Sequence, residues 1–130
     1  MFGQIRDAAF SDLVGKTIKE IRGAEEGSDE VMFVLDDGTR YRMHHLQDCC
    51  ECVYLADVIG DILDVVGSPI VSAEEVSTSD GDRIGEYDDS FTWTFYKLDT
   101  VKGGVTLRWY GSSNGYYSER VSFDKLGYHK

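Results

Sequence analysis

Strict alternation over the C-terminal third is the feature that most restricts the fold. Phe91, Trp93, Phe95 and Lys97 alternate with Thr92, Thr94, Tyr96 and Leu98, the period-two pattern of strands whose side chains point to opposite faces. Gly103-Gly104 turns into Val105, Leu107 and Trp109 opposite Thr106, Arg108 and Tyr110, and Ser112-Ser113-Asn114-Gly115 turns into residues 116–123. Turn residues between β-prone runs mark hairpins, so this region is expected to form three strands of an antiparallel meander. Trp93, Phe95 and Trp109 are expected on its core face, with Tyr96, Arg108, Tyr110 and Arg120 on the other.

The remainder reads mostly as strands. Residues 17–22 carry Ile18 and Ile21 and end at Gly23 before an acidic loop. Residues 31–35 and 39–45 flank Asp36-Asp37-Gly38, where glycine supplies the positive φ of a tight hairpin turn. In the second of these strands Tyr41, Met43 and His45 alternate with Arg40, Arg42 and His44. Apolar spacing suggests short helices over residues 4–14 and 57–66, the latter following a strand at 52–55 and stopped by Gly67-Ser68-Pro69. Residues 70–77 resume as a strand. Residues 78–90, with five acids, two glycines and one arginine, are expected to be an exposed, mobile loop. The fold class expected is α+β, a curved antiparallel sheet with one or two short helices packed on one face.

Bulk properties narrow the functions. One domain, residues 1–130, is large enough to bury a core without disulfides or metal. No apolar run approaches the roughly 18 residues of a membrane span, and the N-terminal residues lack a secretory pattern, so a cytoplasmic, membrane-free protein is expected. A net charge of −11 opposes direct nucleic-acid binding. The imbalance is concentrated in residues 1–66, with 14 acids against 6 bases. It serves as a solubility charge or as an acidic face for a basic groove on a partner.

Residues 44–51, His-His-Leu-Gln-Asp-Cys-Cys-Glu, concentrate reactive side chains. His44, His45, Cys49, Cys50 and Cys52, with Asp48 and Glu51, are donor types that suit zinc. Their spacing lacks the two-residue gap of a zinc knuckle, no second ligand pair follows, and adjacent strand histidines point apart. A cysteine nucleophile is the other chemical possibility, but neighbouring Asp48 and Glu51 oppose a thiolate. The structural alternative makes the cysteines small packing residues, Asp48 a turn cap and one histidine a hydrogen-bonded core group. Three clustered cysteines do not form a secreted disulfide framework, so reduced thiols are expected. No cofactor is implied.

Arginines among tyrosines stand out in so acidic a chain. Tyr96, Arg108, Tyr110, Asn114, Tyr116 and Arg120 are the candidate binding residues, able to stack on a ring, hold a phosphate or anchor a protein. Strand edges bearing Tyr116 and Tyr117 are also compatible with a homodimer.

Three segments carry a resemblance: residues 45–51 (His-Leu-Gln-Asp-Cys-Cys-Glu), 93–97 (Trp-Thr-Phe-Tyr-Lys) and 105–119 (Val-Thr-Leu-Arg-Trp-Tyr-Gly-Ser-Ser-Asn-Gly-Tyr-Tyr-Ser-Glu). They resemble a family of small acidic bacteriophage and prophage proteins of unknown function, over about residues 14–123. The resemblance assigns no catalytic residue. It implies an accessory protein acting on host machinery, including inhibition of a defence system such as CRISPR, with a host protein or a signalling nucleotide as partner. A non-enzymatic binding protein is therefore the favoured expectation, with a small metal-binding or cysteine-dependent enzyme built on residues 44–52 as the alternative.

Overall fold

A computed structural model describes residues 6–47, 49–85 and 88–126. Nine strands are present among these residues: β1 (Arg6–Asp7), β2 (Ile18–Arg22), β3 (Glu30–Leu35), β4 (Arg40–His44), β5 (Cys52–Ile59), β6 (Ser72–Thr78), β7 (Ser90–Thr100), β8 (Gly103–Ser113) and β9 (Ser122–Leu126). They form two antiparallel sheets, one in the order β1-β9-β4-β3-β2 and the other in the order β5-β8-β7-β6. The only helical turns among the described residues are two four-residue 3-10 segments, Phe10–Leu13 and Ile62–Val65.

This corrects the expected α+β class: the protein is a mostly β structure, without helices laid on a sheet. Local chemistry explains why the helix expected over residues 57–66 does not form. Val58 and Ile59, β-branched or β-bordering residues, extend β5 and pair with Leu107 and Thr106. Gly60 then takes φ +100° with its backbone against Gly104, a conformation and an approach that no other residue tolerates. Asp61 accepts the Leu63 N–H at 2.9 Å and starts only a single short turn. Near the N-terminus, β1 pairs with β9, which leaves helical geometry to Phe10–Leu13 alone; residues 4 and 5 of the expected helix lie outside the described residues.

The hairpin around Asp36-Asp37-Gly38 forms as expected. The Leu35 N–H donates to the Thr39 carbonyl at 2.8 Å, Gly38 has φ +91°, and Asp37 accepts the Thr39 N–H. In the C-terminal region β7 and β8 pair over eleven residues, but the turn is Val101-Lys102 and both glycines lie inside β8. The third expected meander strand also differs. Residues 114–121 form a connection, and β9 crosses to the other sheet, where it lies between β1 and β4.

The inner faces of the two sheets share one core. Phe33, Tyr41, Met43 and Phe123 come from the β1-to-β2 sheet, and Leu55, Tyr96, Leu98, Leu107 and Trp109 from the other. Phe10 fills the join, with its ring centroid 4.8 Å from Tyr96 and 5.4 Å from Phe123 in edge-on geometry. The fully buried Trp109 indole N–H reaches the Met43 sulfur at 2.9 Å. No helix of the described residues is long and apolar enough to cross a membrane.

The core placement sets a stability test. Trp109→Ala is expected to cost about 3–5 kcal/mol in urea unfolding, the range for truncating a large buried aromatic. Val101→Ala, at an exposed turn, is expected to stay within about 0.5 kcal/mol of the parent protein.

Candidate binding face and histidine corner

The outer face of the β5-to-β6 sheet gathers Tyr54, Trp93, Phe95 and Tyr110 around one arginine. Pairing places Phe95 opposite Arg108 and Trp93 opposite Tyr110, so all four side chains share one face. Tyr54 pairs with Tyr110, and a bulge after Leu55 brings Asp57 opposite Arg108. That extra residue lets Tyr54 and Asp57 face outward while Leu55 and Val58 face the core.

Arg108 is the centre of this face. Its guanidinium carbon lies 4.8 Å from the Trp93 ring centroid and 5.7 Å from that of Phe95, and those two rings are parallel to within 9°. Nη1 donates to Asp57 Oδ2 at 2.9 Å. A flat, delocalised cation on aromatic faces gains about 0.5–1 kcal/mol at a partly exposed site. Lysine lacks the planar geometry needed to do the same.

The acidic loop between β6 and β7 lies against this face. Trp93 Nε1 donates to the Asp82 carbonyl at 2.9 Å, and the Tyr110 hydroxyl donates to Asp88 Oδ2 at 2.6 Å and accepts the Ile84 N–H at 3.1 Å. The loop expected to be mobile is therefore anchored at three points among its described residues, while Gly81, Asp82, Arg83 and Ile84 stay exposed as expected. Trp93 and Tyr110 are buried beneath it. Burial pushes the Tyr110 hydroxyl up from its usual titration range, and its hydrogen bond to Asp88 adds to this.

The sequence-derived binding residues divide into three places. Arg108 and Tyr110 lie on the outer face. Tyr96 faces the core and is fully buried, because it pairs with Leu107 and shares that residue's side. Asn114 and Tyr116 lie on the exposed β8–β9 connection, where Asn114 Oδ1 accepts the Tyr116 N–H at 3.0 Å. Arg120 lines a separate cleft with residues of β6. Trp93 and Phe95, expected inside, belong to the outer face instead. Asp57, Asp88 and Glu119 were not legible as partners. Glu119 accepts from Thr92 Oγ1 at 2.8 Å and Ser113 Oγ at 2.6 Å and holds the connection against β7 and β8.

The His44 to Cys52 corner uses its polar groups internally. His44 and His45 point to different partners, as strand geometry requires. His44 Nε2 lies 2.7 Å from Asp124 Oδ2 on β9, beside Arg42 at 3.7 Å. His45 Nδ1 lies 2.7 Å from the Arg120 carbonyl, and its Nε2 lies 2.9 Å from Glu51 Oε2. A carbonyl only accepts, so the ring donates at Nδ1 to Arg120. The buried Glu51 carboxylate also accepts the Cys49 N–H at 2.9 Å and Gln47 Nε2 at 3.2 Å. Cys49 and Cys50, neighbours in the chain, have their sulfurs in contact, and Cys52 is free and exposed. The chain bends at both of these residues. Asp48 lies outside the described residues, among which no three His, Cys, Asp or Glu side chains converge as a metal site.

Two outcomes are expected. Glu51→Ala leaves the buried His45 without its carboxylate and should lower unfolding free energy by about 3 kcal/mol, measured by urea denaturation at neutral pH. The second concerns Tyr96, whose hydroxyl is pushed above its ordinary value of 10.0 chiefly by burial and then by the Glu75 charge, with Arg120 pulling the other way. The folded state then holds this proton where the unfolded chain releases it. Stability is intact below about pH 10 and falls as pH rises beyond it. Tyr96→Phe should flatten that alkaline loss in unfolding curves collected across the same range.

Comparison with known proteins returns one family. No curated protein and no solved structure matches the chain. Residues 11–123 match DUF7448, described as a domain of unknown function, a span that includes the outer face, the corner and all strands from β2 to β8, and the chain belongs to that family.

Proposed function

We propose that this protein is a non-enzymatic accessory binding protein of phage or prophage origin, acting in the host cytoplasm on a host protein, with a defence-system component such as a CRISPR effector as the favoured target. The observation that carries this reading is Arg108, set over the Trp93 and Phe95 rings and tied to Asp57 on the outer sheet surface. Arginine and aromatic groups presented together are the residues that most often anchor protein interfaces. The overall charge of −11 supports a basic partner and steering by electrostatic attraction.

A protein is favoured over a signalling nucleotide as partner because Trp93 and Tyr110 are buried beneath the acidic loop, which leaves little ring surface for stacking a base. The alternative of a metal- or cysteine-dependent enzyme gains little support from the corner. His45 and Glu51 are satisfied by each other, and His44 by Asp124.

Affinity capture from bacterial host lysate tests the reading. A specific host protein should be retained by the parent chain, reduced about tenfold by Arg108→Ala, and released progressively as salt rises from about 0.05 to 0.5 M. Equal recovery with Arg108→Ala removes the outer face from the interaction. A stoichiometric transition metal in the purified protein, lost in the Cys49→Ser, Cys50→Ser double variant, would favour the enzyme reading instead.

A further inference from the structure

The edges of the two sheets are not treated alike. The outer side of β2 meets the segment after the second 3-10 turn, through bridges from Thr17 to Pro69 and from Ile18 to Val66. β5 is met at Leu55, whose N–H donates to the Ser28 carbonyl at 2.7 Å and whose carbonyl accepts the Gly27 N–H at 2.8 Å. β6 pairs with β7 along all seven of its residues; on its other side the Phe10–Leu13 turn packs against it, but no backbone hydrogen bond joins that side of β6 to another segment among the described residues. Such an edge presents a row of N–H and C=O groups ready to pair with another chain.

Beside that open edge lies a cleft of about 570 Å³. Its walls include Asp7, Phe10, Ala73, Glu74, Glu75 and Arg120. Phe10 and Ala73 give it an apolar floor continuous with the core, while Asp7, Glu74 and Glu75 are exposed acids set against one arginine. Strand alternation puts Ala73 and Glu75 toward the cleft and Glu74 and Val76 toward the outer face.

We propose that the free edge of β6 is a strand-addition site for an extended, lysine- or arginine-bearing peptide segment of a partner protein. Backbone pairing to β6 supplies register-independent affinity. Alternate side chains of the added strand then enter the cleft or lie over Glu74 and Val76, which is how edge-strand recognition separates affinity from specificity. Charge selects the occupant. A second copy of this chain pairing antiparallel through the same edge in registers centred on Glu74 or Glu75 sets acid opposite acid, which destabilises a strand pair, and in a register centred on Val76 it sets Glu75 opposite Ser77 and gains no charge attraction. A basic strand converts both contacts into attractive ones. The site stands apart from the outer-face reading, since neither Arg108 nor Trp93 takes part in it.

The experiment titrates the isotope-labelled full chain, at about 0.1 M salt, with a peptide of about eight alternating lysines and valines, and with its glutamate-valine counterpart. Two further lysine-valine peptides carry N-methyl groups on alternate backbone nitrogens, one in each phase. The lysine peptide is expected to bind saturably, about tenfold or more tighter than the glutamate peptide, with amide shifts mapping to Ala73–Val76. One N-methyl phase should retain binding and the other lose it, because an added strand turns only alternate N–H groups toward the edge. Glu74→Lys combined with Asp7→Lys should reverse the charge preference. No binding by the lysine peptide, equal binding of the two charge types, or equal effects of both N-methyl phases overturns the proposal. So does concentration-dependent dimerisation of the protein alone that maps to the β6 amides. The titration contains no host factor and the lysate capture contains no peptide, so each can fail without the other.

Discussion

The ladder between β7 and β8 is the constraint on which the rest depends. Eleven consecutive residue pairs fix its register, and each pair assigns its two side chains to the core or to the outer face. With this register, Tyr96, Leu98, Leu107 and Trp109 close one side of the core, and Trp93, Phe95, Arg108 and Tyr110 stand on the other. A slip of one residue between the strands exchanges these sets on one of them. Arg108 would then lose its aromatic bed, and the indole of Trp109 would lose its place against Met43.

That ladder also explains what was legible beforehand. The β7 and β8 runs were readable from alternation, though their turn is Val101-Lys102 and not the expected Gly103-Gly104, and the Asp36-Asp37-Gly38 turn was readable too, because period and turn chemistry are local properties. The facing of β7 was not. Trp93 and Phe95 are large and apolar and read as core, whereas Tyr96 carries a hydroxyl and read as surface. In the structure the acidic loop covers Trp93, and the Tyr96 hydroxyl finds Val121 and Glu75, so both polarity and exposure are met in the opposite sense. The crossing of β9 to the other sheet and the extension of β5 through Ile59 depend on partners distant in sequence, which periodicity does not contain.

The histidine corner has a comparable history. Its residue types suggested chemistry, yet the geometry uses them to fasten the end of β4 to two remote segments. His44 holds β9 through Asp124, and His45 holds the segment leading into that strand through the Arg120 carbonyl while Glu51 closes the bend from the other side. Burial makes such a network cooperative, since each buried polar atom that loses its partner incurs a desolvation cost. The candidate site and the corner thus have opposite characters: Arg108 lies on the outer face, paired with Asp57, and Glu51 turns its carboxylate inward.

The position of β9 has a consequence for how the molecule comes into being. Residues 122–126 fill the gap between β1 and β4, and their partners lie in the first 44 residues. During synthesis the β7–β8 hairpin can close as soon as it emerges, but the opposite sheet stays divided until nearly the whole described chain has left the ribosome. Completion of that sheet is therefore a long-range closure of the kind that slows folding, and until β9 emerges the aromatic inner face that it helps to cover stays open to water.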